Sequence, residues 1–211
     1  VQVHPDNDYA MRVEGEYGKT EMWYIVDCEE GASLFYGFKK EITKQQFANM
    51  IEDNTLTEVL NKVPVKKGDV FFIPAGTIHA IGKGILIAEI QQNSNTTYRV
   101  SDYGRLGADG KPRELHIEKA VEVTELKPPK SVKTNDTSVL AECDYFKVRL
   151  VDTKEQTSIT VDDSSFTALL CLEGKVEVDG IELSKGEAAF IPAGRGRLEL
   201  KGSATIIESR V

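Results

Sequence analysis

The 211-residue sequence has no long hydrophobic run. Nothing in it approaches the ~20 consecutive apolar residues of a transmembrane helix, so no membrane partner is expected. Cysteine is scarce. Cys28, Cys143 and Cys171 are far apart and show no C-x-x-C spacing, which argues against a disulfide framework and a thiolate zinc site. Cys28 and Cys171 lie in apolar runs, where a cysteine usually serves as a small core residue, and a reducing, cytoplasmic setting is expected. No secretory leader pattern opens the chain. Basic charge is in deficit: 26 Lys and Arg against 34 Asp and Glu give a net charge of −8, which argues against a nucleic-acid partner.

Helical patterns are also few. Thr43–Gln46 and Thr55–Glu58 both read as capping boxes opening short helices, and a third helix is expected from about Arg113, with Pro112 near its start. What dominates is strand-and-turn punctuation: short alternating runs at 22–26, 33–36, 70–73, 85–90, 146–151, 166–172, 188–191 and 204–207, bounded by Gly, Asp and Asn. The polar, Pro-bearing stretch 128–137 reads as a linker between units at 1–127 and 138–211.

An internal repeat organises these runs. Residues 63–79 (VPVKKGDVFFIPAGTIH) match 181–197 (IELSKGEAAFIPAGRGR), with Gly68, Pro74 and Gly76 aligned to Gly186, Pro192 and Gly194 at a constant offset of 118 residues. The fold class expected is therefore mainly β, two copies of one small β unit, the first enlarged by a helical insert at 43–61. The copies differ where the first ends in His79 and the second in Arg197. Alternation places Gln2 and His4 on one strand face, and Glu21 opens another strand beside Lys19. Two imidazoles, a carboxylate and an amide suit a divalent transition metal with an open coordination position, although spacing alone does not bring the four together.

Gly68-x5-Pro74-x-Gly76-x2-His79 is the second cupin motif. With Gln2-Val-His-Pro-Asp6, Gly18-Lys-Thr-Glu-Met-Trp23, Glu89–Val100, Asp102-Tyr-Gly-Arg105 and Pro112–His116, the chain resembles the short bacterial type I mannose-6-phosphate isomerases. The resemblance runs strongly to about Leu126 and more weakly beyond. It implies two cupin-like, jelly-roll units: a catalytic one, and a degenerate second barrel without metal. It implies one Zn²⁺ per chain held by Gln2, His4, Glu21 and His79, with Arg99 as the active-site arginine and Lys19 and Glu89 beside it. Lys19 and Glu89 are both candidates for the base of an aldose–ketose isomerisation through an enediol, and a metal nearby would lower the Lys19 pKa. The substrate would be a small sugar phosphate, mannose 6-phosphate or fructose 6-phosphate, with Arg105 a further candidate for its phosphate. Family members carry a segment ahead of the Gln-Val-His-Pro motif, so a segment before Val1, with further strands of the first barrel, is expected. A homo-oligomer stays open.

Two other readings compete. A metal-dependent cupin oxygenase would typically use three histidines and a glutamate, whereas the ligand set implied here holds two, His4 and His79. A non-catalytic sugar-binding or regulatory cupin would have no need of Glu21, His79 and Arg99 together.

Overall fold

The structure, a computed structural model, describes residues 1–130, 138–153 and 157–211. The chain divides into two compact units, Val1–Thr134 and Asn135–Val211. Most of the expected linker, residues 131–137, lies outside the described residues, while Pro129 sits against Gly37 of the first unit.

In chain order the first unit holds β1 (Gln2–Val3), α1 (Asn7–Val13), β2 (Glu21–Cys28), β3 (Ser33–Phe38) and α2 (Lys44–Glu52). After these come a 3-10 turn (Leu56–Glu58), β4 (Leu60–Pro64), β5 (Val70–Ile73), β6 (His79–Ala80), β7 (Ile85–Gln91), β8 (Tyr98–Arg99) and α3 (Ile117–Val123). The strands form two antiparallel sheets, β4-β3-β6-β1-β8 and β5-β2-β7. Alternate residues of facing strands (Trp23 and Ile25, Leu34 and Tyr36, Phe71 and Ile73) pack together as one buried cluster. The opposite face of the larger sheet presents Val3, Phe38 and Tyr98 to α2 and α3, burying Phe47, Ile51 and Ala120.

The Thr43 capping box forms as expected, with the Thr43 hydroxyl accepting from Gln46 N–H and the Gln46 side chain accepting from Thr43 N–H. The other two helix expectations need correction. Thr55 makes no side-chain cap, and Leu56–Glu58 is one 3-10 turn, too short for an amphipathic face. The third helix begins at Ile117, because residues 106–112 fold into a small loop closed by a Leu106–Pro112 bridge. Phe47 is fully buried and meets Phe38 edge-on at 5.6 Å. Phe47→Ala should therefore cost about 3–5 kcal/mol in denaturant unfolding; a loss below about 1 kcal/mol would show that α2 is not part of this core.

The second unit contains β9 (Val139–Glu142), β10 (Lys147–Thr153), β11 (Thr157–Val161), β12 (Thr167–Val178), β13 (Ile181–Ser184), β14 (Ala188–Ile191) and β15 (Gly196–Arg210). Its strands form one antiparallel sheet along β13-β12-β15-β10-β9, with β14 also on β12 and β11 also on β15. The repeat is repeated in backbone detail. Gly68 and Gly186 have φ of 87° and 86°, and Gly76 and Gly194 have 83° and 77°, a region costly for residues with a Cβ. Ile25 exchanges main-chain bonds with Gly68 and Asp69 as Cys171 does with Gly186 and Glu187.

Candidate metal centre and active site

Three strands and one loop deliver the metal-type donors. Glu21 opens β2, His79 opens β6, Gln2 lies on β1, and His4 follows β1. Gln2 is directly opposite His79 on one side and Arg99 on the other, and His79 is opposite Tyr36. Directly opposed residues share a sheet face, so Tyr36, His79, Gln2 and Arg99 form one row across four strands. The loop around His4 is held by Gly76 N–H donating to His4 O and Lys19 N–H donating to Pro5 O. Gly18 permits this approach, since a Cβ there would lie 2.3 Å from Asp6 C.

His4, Glu21 and His79 converge and are all buried. His4 Nε2 is 3.5 Å from Glu21 Oε2, and His79 Nε2 is 3.3 Å from Glu21 Oε1. Donors that each sit ~2.0–2.2 Å from one ion stand roughly 3–3.6 Å from one another. Both imidazoles are oriented by main-chain carbonyls: His4 Nδ1 bonds Thr96 O at 3.0 Å and His79 Nδ1 bonds Thr77 O at 2.9 Å. Donation from Nδ1 fixes the tautomer and leaves Nε2 as the lone-pair donor, the usual arrangement for a metal-binding histidine. Gln2 Nε2 lies 3.1 Å from His79 Nε2, and turning the amide over presents Oε1 at that place.

Among the described residues, the buried side-chain atoms without a hydrogen-bond partner are His4 Nε2, Glu21 Oε1 and Glu21 Oε2, of which Oε2 still has the Lys19 ammonium as an ion-pair partner. Leaving His4 Nε2 and Glu21 Oε1 unpartnered is costly unless a cation completes them. The residues therefore fit a divalent ion. Burial pushes the His79 imidazole down to about 4, so it is neutral and able to donate at neutral pH. Burial alone would raise the Glu21 carboxyl, but His4, His79 and Lys19 outweigh it and bring it to about 2.

Lys19 bridges this cluster to a second carboxylate. Its Nζ is 2.8 Å from Glu21 Oε2 and 3.1 Å from Glu89 Oε1. Burial disfavours its charge, yet the two carboxylates outweigh burial and raise its pKa, so in this arrangement it is an ammonium. Glu89 lies on β7 with its side chain 29% exposed, and its Oε2 accepts from Trp23 Nε1 at 2.9 Å. Arg99 Nη1 donates to Glu114 O at 3.0 Å. Its main chain is clamped by His116, whose Nδ1 accepts from Arg99 N–H while its own N–H donates to Arg99 O. Arg105 stands apart from the donor cluster. Its side chain is 67% exposed and donates to Asp102 Oδ1 at 3.0 Å, and Arg113 holds the same carboxylate.

Sequence reasoning missed the supporting residues Trp23, Thr77 and Thr96. Thr77 and Thr96 act through main-chain carbonyls, which leave no side-chain signature. Trp23 lies at alternation spacing from Glu21 and could have been placed on the same face.

Among its described residues, the second unit lacks the donor set. Its sheet registers put Thr160 opposite Arg197 as Gln2 is opposite His79, and Thr167 opposite Ile191 as Glu21 is opposite Ile73. Gly194 N–H donates to Asp162 O as Gly76 N–H does to His4 O. Thr160, Asp162, Thr167 and Arg197 thus stand at the positions of Gln2, His4, Glu21 and His79. The Asp162 carboxylate is bonded to Ser164, and the Arg197 guanidinium to Glu199.

The family model for the mannose-6-phosphate isomerase cupin domain matches residues 135–211. Mannose-6-phosphate isomerase ManA of Bacillus subtilis is 41% identical over all of this chain and 70% of its own length. The mannose-6-phosphate isomerase of Streptococcus mutans is 39% identical over 99% of this chain and 69% of its own. The crystal structure of the Bacillus subtilis mannose 6-phosphate isomerase superposes with a TM-score of 0.88 at 36% identity, covering 100% of this chain and 70% of that one. A phosphomannose isomerase variant from Salmonella typhimurium shares the fold at 17% identity, with a TM-score of 0.76 over 99% of this chain and 74% of its own.

Proposed function

Because the chain belongs to the mannose-6-phosphate isomerase family, we propose that it interconverts mannose 6-phosphate and fructose 6-phosphate, with His4, Glu21, His79 and Gln2 holding one zinc ion. The observation that carries this reading is the Lys19 ammonium set between a metal-type donor cluster and a separate carboxylate, Glu89. Bound zinc would supply a Lewis acid for the oxygens on C1 and C2 of the sugar.

The residues divide the remaining work. The Glu89 carboxylate stands outside the donor cluster and takes the proton from C2 of the aldose. O1 gains a proton from solvent water, and the product of that step is an enediol. O2 then gives its proton back to water while Glu89 returns the C2 proton to C1, which gives the ketose, so nothing is consumed. Lys19, set within 3.1 Å of Glu89 and 2.8 Å of Glu21, places its Nζ where negative charge builds on the oxygens. Arg99, in the same cross-strand row as His79 and Gln2, adds a second fixed cation. Arg105 and Arg113 flank Asp102 with part of their surfaces open, and they are candidates for the phosphate.

The second unit, without the donor set, has a structural role. Coupled detection of fructose 6-phosphate from mannose 6-phosphate tests the reading directly. Turnover is expected with metal-loaded protein; metal-loaded protein that binds sugar phosphate without converting it would replace the isomerase by a binding module.

A further inference from the structure

Trp23 is the single tryptophan of the sequence and is fully buried on β2. It touches both halves of the site. Its ring meets His79 edge-on, with centroids 5.2 Å apart and planes at 85°. Its Nε1 donates to Glu89 Oε2 at 2.9 Å. This pairing is built into the sheet, because Trp23 and Glu89 are directly opposed in the β2–β7 register. The other Glu89 oxygen accepts from Lys19 Nζ at 3.1 Å. Each carboxylate oxygen therefore has one fixed donor, and together they set the plane of the group.

Packing alone does not account for an indole here. Phe71 and Ile73 fill the same interior cluster with no polar atom. A buried indole N–H needs an acceptor, and this one uses the partly exposed Glu89 carboxylate. An isomerase base must take a proton from one carbon and return it to the next, so its orientation matters more than that of a base acting once.

We propose that Trp23 is a positioning residue for the isomerisation: its indole N–H holds the Glu89 carboxylate in the orientation from which it serves both adjacent sugar carbons. The proposal rests on the isomerase reading and on Glu89 as the base. Trp23→Phe keeps an aromatic ring beside His79 and removes the N–H. It is expected to lower kcat by about 10- to 10²-fold, while KM and metal content stay at wild-type values. In a Glu89→Gln background the same change should cost almost nothing further, because the group it orients no longer acts as a base.

Unchanged kcat in Trp23→Phe, or an equal loss in both backgrounds, would overturn the proposal. Metal-loaded wild type without turnover would instead remove the isomerase reading itself. Should Trp23→Phe fail to fold, Glu89→Ala gives an independent measurement. The Trp23 indole N–H resonance should move upfield and exchange faster with solvent than in the wild type; an unmoved resonance would overturn the proposal.

Discussion

His79→Ala is expected to remove tightly held metal from the protein and to lower kcat by on the order of 10³-fold or more. His79 is completely buried, its Nδ1 is bonded to Thr77 O, and its Nε2 lies 3.3 Å from a Glu21 oxygen that has no hydrogen-bond partner. Alanine leaves Glu21 facing His4 and Lys19 with one fewer donor for an ion. Metal analysis after dialysis reads the first effect and steady-state turnover the second. The wild type should also lose thermal stability when a chelator strips it, since an ion bound only by the folded state stabilises that state. A His79→Ala protein that kept one ion per chain and its activity would show that the donors lie elsewhere.

Arg99→Ala should lower kcat by on the order of 10²-fold with the fold intact, the usual cost of removing one electrostatic stabiliser. Arg99 is placed by its register opposite Gln2 and by the two main-chain bonds to His116, neither of which needs its side chain. Its guanidinium makes one bond, to the Glu114 carbonyl, at the exposed side. Loss of the side chain therefore leaves the sheet and the core unaltered. The split of kcat and KM identifies its role: an unchanged kcat with raised KM would make Arg99 a uniform anchor for substrate phosphate rather than a stabiliser of the transition state.

The strands were legible where the sequence alternates and is cut by turn residues. Val70–Ile73 and Ala188–Ile191 fall where the repeat put them, and the 118-residue offset carries over to the dihedral angles of four glycines. The long strands β12 and β15 were harder to read, because Gly174 and Gly202 look like turn signals. They instead sit inside paired strands. A Cβ at Gly174 would fall 2.1 Å from Ser203 O, and one at Gly202 would fall 2.5 Å from Lys175 O. Close backbone approach, not a turn, requires glycine there.

Helix α1 gave no periodic signal. It has seven residues, buries only Ala10, and owes its start to the Asp6 side chain accepting from Tyr9 N–H. The donor residues were readable one at a time, but their convergence depended on sheet registers that no local pattern encodes. The match of Thr160, Asp162 and Thr167 to Gln2, His4 and Glu21 of the first unit became visible only through those registers.

The central claim is that one metal, held in the first unit, is needed for sugar-phosphate isomerisation. Titrating zinc into metal-stripped protein while following mannose 6-phosphate turnover tests it most directly. Activity should rise from near zero in proportion to bound zinc and level off at one ion per chain. Full turnover by the metal-free protein, or an activity that rises only with a second ion, would contradict it.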